Sequence, residues 1–178
     1  MSGFPLASGG GGDPSEASPI GVKLILASDF TVNDNQVPAE KVTFGVGTVK
    51  PWGDVLGMHS AGGPNPERIT IPTGYDGIYE VDASLFFQAS VGGSVRSALL
   101  EHNNSANVVQ EEVIGHQQAI TSGGHGTITL VKAYFKAVAG DYFQVRAYQN
   151  AGGALLVQHT PSTTKGSSFL SARRIGIA

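Results

Sequence analysis

The segment from Ile78 to Phe87 alternates apolar and polar residues with the two-residue period of a β-strand. Its odd positions are all apolar, whereas most of its even positions, such as Glu80 and Asp82, are polar. The odd positions are Tyr79, Val81, Ala83, Leu85 and Phe87. Because successive side chains of a strand point to opposite faces, the pattern predicts that the odd face lies in the core of a β-sandwich. Phe86 follows Glu80, Asp82 and Ser84 on the even face and interrupts this polar run.

The segment from Asp141 to Tyr148 shows the same alternation. Its predicted inward residues are Phe143, Val145 and Ala147. Its predicted outward residues are Tyr142, Gln144, Arg146 and Tyr148. Tyrosine and arginine are enriched at protein interfaces because they combine a large contact area with a polar tip. The outward face is therefore predicted to be a subunit interface, with an ordinary solvated exterior as the alternative.

Short β-rich runs separated by glycine, proline and asparagine continue along the chain, as is typical of a sandwich or a barrel. The sequence predicts about ten strands in an all-β domain. The runs are 22–32, 42–49, 55–58, 68–71, 77–89, 95–101, 108–114, 126–138, 141–149, 154–159 and 168–177. A turn or two of helix within 108–120 is the alternative for that run, but its β-branched start and Gly115 disfavour it.

The composition agrees with this fold and excludes some classes of binding partner. Glycine makes up 25 of the 178 residues and charged residues 14%, against roughly 25% charged residues in typical domains. Many tight turns and little exposed helix are expected. A net charge of -3 provides no field that would attract phosphate backbones or anionic lipid, so neither nucleic acid nor membrane is expected as a partner. With no cysteine, disulfides and thiolate metal sites are excluded.

Residues 1–19 are dominated by glycine, serine and proline and are predicted to form a flexible arm that precedes a domain over 20–178. Within the arm, Phe4, Pro5 and Leu6 form a small apolar cluster. Either this segment is a disordered tail, or the cluster docks on a partner. The arm lacks the basic start and apolar run of a secretory signal, and no apolar run reaches membrane-spanning length, so location in the cytoplasm until assembly is expected.

No motif of the sequence indicates catalysis. The five histidines are scattered, and the pair His116 and His125 flanks only a short glycine-containing segment. A GxG pattern begins at Gly45, but Lys50 occupies the position of the third glycine. No GxSxG motif surrounds a serine. The sequence therefore predicts a non-enzymatic protein with neither cofactor nor metal.

Three segments together resemble the jelly-roll domain shared by the complement globular heads and tumour necrosis factor. They are ITIPTGYDGIYEVDASLFF (69–87), GDYFQVRAYQN (140–150) and SSFLSARRIG (167–176). The family pattern has Gly-x-Tyr at the start of a central strand, Gly-Asp opening a later one and a Ser-x-Phe-like closing strand. The match extends from Gly21 to Ala178. The ITIPT lead-in resembles the bacteriophage branch of this group more than the animal branch. The absence of a Gly-X-Y collagen stalk, which the secreted animal proteins usually carry, agrees with that.

The resemblance implies a homotrimer in which one sheet of each subunit packs around a three-fold axis. It also implies that both outward faces point toward that axis. Independently of the resemblance, Arg146 is predicted to pair with Glu80 or Asp82 if strands 77–89 and 141–149 lie side by side. Burying the Phe86 ring there would contribute about 2 kcal/mol per chain. The implied interface comprises Glu80, Asp82, Phe86, Tyr142, Gln144, Arg146 and Tyr148.

The function implied by the resemblance is adhesion. The leading hypothesis is a virion structural protein, a trimeric decoration or cement protein that is assembled in the host cytoplasm and binds the major capsid protein or other virion proteins through the arm or the trimer base. The alternative is a receptor-binding head of a tail or head fibre that recognises host-surface glycans through loops such as 103–107 or 122–126. A bacterial enzyme accessory or carbohydrate-binding module is a third, weaker candidate.

Overall fold

The structure, a computed structural model, describes residues 20–44, 56–60, 63–118, 126–159 and 168–177. Within these ranges the chain forms eleven strands and no helix. The arm and its apolar cluster of Phe4, Pro5 and Leu6 lie outside the described residues. The strands are β1 (Gly21–Ile25), β2 (Phe30–Val32), β3 (Glu40–Lys41), β4 (Ile69–Thr70), β5 (Gly77–Phe87), β6 (Val95–Asn103), β7 (Val109–Gln118), β8 (Thr127–Ala137), β9 (Tyr142–Gln149), β10 (Leu155–Val157) and β11 (Phe169–Gly176).

The strands form two antiparallel sheets. The front sheet has the order β1-β11-β5-β10-β2, and β8 pairs with the other edge of β5. The back sheet has the order β3-β9-β6-β7, and β4 also pairs with β9. The longest ladder joins β5 to β8, from Gly77 opposite Ala137 to Phe87 opposite Thr127. The predicted all-β jelly-roll sandwich is confirmed.

The core lies between the sheets and is built from the predicted inward faces of β5 and β9. The side chains of Tyr79, Val81, Ala83, Leu85, Phe87, Phe143, Val145 and Ala147 are all at most 1% exposed. The rings of Tyr79 and Phe143 meet across the two sheets with centroids 5.7 Å apart. Phe135 of β8 stacks on Phe143 at 5.5 Å. Both predicted inward faces are therefore confirmed.

The Gly-Asp pair before β9 has a structural cause. Gly140 has a φ of 89°, in the left-handed region that favours glycine. Asp141 then closes the turn, because its backbone N–H donates to the Val138 carbonyl at 3.0 Å and its carboxylate accepts the Val138 N–H at 3.0 Å. This turn sets the start of β9 and therefore which of its side chains face the core.

Three predicted strands differ from the structure. The run 22–32 divides into β1 and β2, which pair with different strands, β11 and β10. The run 42–49 is replaced by the earlier β3, while residues 42–44 are not strand and 45–49 lie outside the described residues. Residues 56–58 are not strand either, because Gly57 has a φ of 66°, which an extended strand does not allow.

Candidate functional site

The outer surface of the front sheet, here called the front face, is formed by even-numbered residues of β5 and β8 and by Arg173 of β11. The odd-numbered residues of β5 and β8 point into the core, so the alternation along each strand directs the even-numbered side chains outward. β5 and β8 are in register, with Glu80 opposite Tyr134, Asp82 opposite Lys132 and Phe86 opposite Ile128. The front face includes Glu80, Asp82, Phe86, Ile128, Leu130, Lys132, Tyr134, Lys136 and Arg173.

A charge network occupies one half of the front face. The Lys132 ammonium lies 2.8 Å from one Glu80 carboxylate oxygen and 3.7 Å from Asp82. Arg173 donates to the second Glu80 oxygen at 2.9 Å, and the Tyr134 hydroxyl donates to the first at 3.2 Å. The hydrogen bond between Lys132 and Glu80 lowers the pKa of Glu80 and raises the pKa of Lys132. Within this network each carboxylate has a cation within 4 Å, while Lys136 of β8 adds a further positive charge to the same face.

The other half of the front face is apolar. Leu130 is 69% exposed and Ile128 38% exposed, two positions apart on the same face of β8. The Phe86 ring lies beside them and is 6% exposed. A side chain at position 126 would clash with that ring, since an added Cβ at Gly126 would lie 2.5 Å from the Phe86 ring. The front face therefore presents aliphatic surface next to a network of paired charges.

The outer surface of the back sheet carries the other predicted interface residues. Tyr142 is 3% exposed, because Arg68 covers its ring at 3.9 Å from the centroid, and burial raises the pKa of its hydroxyl. Gln144 is 1% exposed and hydrogen-bonds to Glu101. The Tyr148 hydroxyl donates to the Asn35 side-chain oxygen at 2.9 Å. Tyr142 and Gln144 are thus covered by this chain's own side chains.

Arg146 does not pair with Glu80 or Asp82, so that part of the sequence prediction is wrong. β5 and β9 lie in different sheets. Arg146 instead places its Nε 2.6 Å from a Glu101 carboxylate oxygen and donates from Nη1 to the Ala39 carbonyl at 3.0 Å. The seven predicted interface residues therefore divide into two groups on opposite surfaces of the sandwich, and the two groups cannot both point toward one axis.

Sequence reasoning missed a groove on the back sheet, which has a volume of about 470 Å³. Its floor includes the buried Ser97 and Glu101 together with Arg146. The hydroxyl oxygen of Ser97 lies 2.6 Å from Nδ1 of His116, across from it on β7. The full lining is Gln36, Val37, Pro38, Ala39, Ser97, Leu99, Glu101, Val109, Glu112, Ile114, His116, Arg146 and Tyr148. The sequence signal for this groove was the two-residue spacing of Ser97, Leu99 and Glu101, which places the three side chains on one face of β6.

The remaining histidines of the described ranges have structural contacts. His102 is buried between Phe135 and Phe143, and its Nε2 lies 3.1 Å from the Asp141 carboxylate. His159 lies 2.7 Å from Asp29, and this hydrogen bond lowers the pKa of Asp29. Among the described residues no group of three His, Asp or Glu side chains is arranged to hold a metal. None of the described segments is a helix long and apolar enough to cross a membrane.

The loops predicted as glycan sites are only partly described. Residues 104–108 connect β6 to β7, and the Asn104 side-chain oxygen accepts the backbone N–H groups of Ala106 and Val108, each at 3.0 Å. Asn107 has a φ of 63°, which asparagine tolerates better than most residues. Of the second loop, residues 122–125 lie outside the described residues, as does His125.

Solved structures share this architecture. Eiger TNF from S. frugiperda aligns with a TM-score of 0.64 and 15% identity over 91% of this chain and 96% of its own. Murine APRIL aligns with a TM-score of 0.57 and 12% identity over 88% of this chain and 99% of its own. No protein-family model matches the sequence, and no curated protein matches it significantly. The fold is therefore the tumour-necrosis-factor-like jelly roll, as the sequence motifs predicted.

Proposed function

We propose that the protein is a homotrimeric binding head without catalytic activity, in which the front face of each subunit packs toward the three-fold axis. The proposal is supported chiefly by Leu130 and Ile128, which present aliphatic surface on a β-sheet face. Exposed apolar surface of this kind marks association sites when it is contiguous. In the adjacent network, Glu80 and Asp82 already have Lys132 and Arg173 as cationic partners, so covering the network does not leave either carboxylate unpaired.

A second copy of this chain is the proposed occupant of the front face. Self-association explains why apolar and paired charged residues lie side by side, since each subunit supplies both. Phe86, Glu80 and Asp82 keep their proposed role at the interface. Tyr142, Gln144, Arg146 and Tyr148 are not part of this interface, because they lie on the opposite surface of the sandwich.

Substituting Leu130 with aspartate is expected to dissociate the trimer. Burying this side chain contributes about 2 kcal/mol per subunit, equivalent to about 30-fold in the association constant for each chain, and aspartate adds the cost of a buried charge. Analytical ultracentrifugation would report the mass of the assembly, and circular dichroism would check that the subunit remains folded.

The matched control for this substitution is Val91→Asp, which places the same charge on a loop residue that is 79% exposed and lies outside the front face. We expect the control to remain trimeric. A wild-type monomer at micromolar concentration, or a Leu130→Asp variant that stays trimeric while folded, would contradict the proposed association.

The finer proposal is that the trimer is a decoration or cement protein of a virion, located on the particle, with the major capsid protein as its partner. It is supported by the resemblance of the ITIPT-containing segment to bacteriophage proteins of this fold. The apolar residues Phe4, Pro5 and Leu6 are proposed to dock the arm on the capsid. The alternative is a receptor-binding head that recognises host-surface glycans through the loop at residues 103–107. The side-chain oxygens of Asn104 and Asn107 accept hydrogen bonds from this chain, and their NH2 groups can donate to sugar hydroxyls.

Deleting residues 1–19 is expected to abolish addition of the trimer to isolated capsids while leaving its mass unchanged apart from the deletion. A full-length variant with Phe4 and Leu6 both replaced by serine is the matched control for arm length and should also fail to bind. Co-sedimentation with capsids lacking the protein would measure this. Binding that survives both changes would remove the arm from the proposal, and glycan-array signals lost on Asn104→Ala would favour the receptor-binding alternative.

A further inference from the structure

We propose that the back-sheet groove is a binding site for a basic side chain, lysine or arginine, presented by a partner polypeptide. The groove lies on the surface opposite the front face, so this site does not depend on trimer formation. Its volume of about 470 Å³ falls within the range of about 300–1,000 Å³ that is typical of ligand sites. It is large enough for one long side chain together with the backbone that carries it.

The walls of the groove are suited to the methylene groups of a long side chain. Val37 and Pro38 form one side, and Val109 and Ile114 of β7 contribute to the lining. Val37 is 81% exposed and Ile114 45% exposed, although both are aliphatic. Lysine and arginine bury their methylene chains along apolar surface while their charged ends reach polar groups. The exposed aliphatic walls therefore favour an occupant that has an apolar stem.

The charges in the groove select a cation. Glu101 and Glu112 lie directly opposite each other on β6 and β7, an arrangement in which like charges repel. Arg146 is the only arginine or lysine among the described residues that line the groove. Its contact with Glu101 at 2.6 Å balances one carboxylate. Glu112 remains as an excess negative charge on the groove.

A basic side chain in the groove would pair with Glu112 and relieve its repulsion with Glu101. The other polar groups are consistent with this occupant. The Ser97 hydroxyl and His116 ring contact each other at 2.6 Å, and the Tyr148 hydroxyl is bonded to Asn35. An anionic ligand would be repelled by Glu112, whereas a neutral ligand would gain no attraction from it. Charge complementarity therefore favours a lysine or arginine side chain.

The test compares two blocked tripeptides, acetyl-Gly-Arg-Gly-amide and the same peptide with citrulline, the neutral isostere of arginine, in place of arginine. Titration followed by NMR should shift the amide resonances of β6 and β7 with the arginine peptide. The citrulline peptide should bind about fivefold more weakly. Added salt should reduce the difference, because it screens the charge on the exposed Glu112.

Two substitutions on one strand locate the effect. Glu112→Gln should weaken binding of the arginine peptide about fivefold. Glu111→Gln makes the same change at the neighbouring residue, whose side chain points to the other side of the strand toward His102, and should leave binding unchanged. Equal affinity for the two peptides, equal effects of the two substitutions, or no shifts at millimolar peptide would each overturn the proposal. None of these outcomes affects the proposed trimer, which is measured by mass.

Discussion

Replacing Phe143 with alanine is expected to lower the free energy of unfolding by about 3–5 kcal/mol. Phe143 is fully buried and is the centre of an aromatic cluster. Its ring centroid lies 5.7 Å from Tyr79, 5.5 Å from His102 and 5.5 Å from Phe135. Truncation removes contacts to all three rings at once and leaves a cavity between the sheets, which the two packed sheets close only in part. Urea denaturation followed by circular dichroism measures the change.

The control for this core substitution is Val91→Ala, at an exposed loop residue where a change within about 0.5 kcal/mol is expected. Both variants are to be compared with the wild type at one protein concentration, because association of subunits makes the midpoint depend on concentration. A loss below about 1 kcal/mol in Phe143→Ala would mean that the two sheets do not pack against each other through this ring.

Replacing Arg146 with methionine is expected to cost about 3 kcal/mol of stability, because it leaves the Glu101 carboxylate without its cation. The side chain of Glu101 is only 4% exposed and that of Arg146 18% exposed, so solvent compensates little of the loss. Methionine keeps most of the apolar stem, which separates the effect of charge from that of packing. The same denaturation experiment measures it, and the expected midpoint shift is large for a single substitution.

The double variant Arg146→Met with Glu101→Leu completes the test. Replacing both members of a buried ion pair by apolar residues is often neutral or stabilising, so the double variant should recover most of the stability lost in Arg146→Met. A double variant as unstable as the single one would show that the unpaired Glu101 carboxylate is not what destabilises Arg146→Met. That result would also remove Arg146 as the partner of Glu101 in the groove.

The alternation of inward and outward side chains within one strand depends only on the local backbone. The inward faces of single strands were therefore predictable from the sequence. The two-residue period placed Tyr79 and Phe143 in the core, and both are fully buried. The Gly-Asp segment correctly predicted the turn before β9, because Gly140 has a backbone conformation that glycine favours. Each of these signals spans only a few residues, so no knowledge of distant parts of the chain was needed.

The partner of Arg146 was not predictable in the same way. Alternation assigns a side chain to one of two faces, but it does not state which sheet the strand joins. Glu101 is 45 residues earlier than Arg146 in the numbering, and it reaches the arginine only because β6 and β9 are neighbours in the back sheet. The sequence pattern consequently does not distinguish the outward side chains of β5 from those of β9, although they lie on opposite surfaces of the sandwich.

From the amino-acid order alone it follows that the chain is an all-β sandwich with Tyr79 and Phe143 inward, because strand period and turn chemistry are local. The tumour-necrosis-factor-like fold was implied by the resemblance of three segments to that family. The groove required the folded chain, since it combines residues 36–39 with parts of β6, β7 and β9. Its charge balance also required the fold, because Glu101, Glu112 and Arg146 meet only through strand pairing. Pairing between distant strands is set by packing of the whole core, which no short segment encodes.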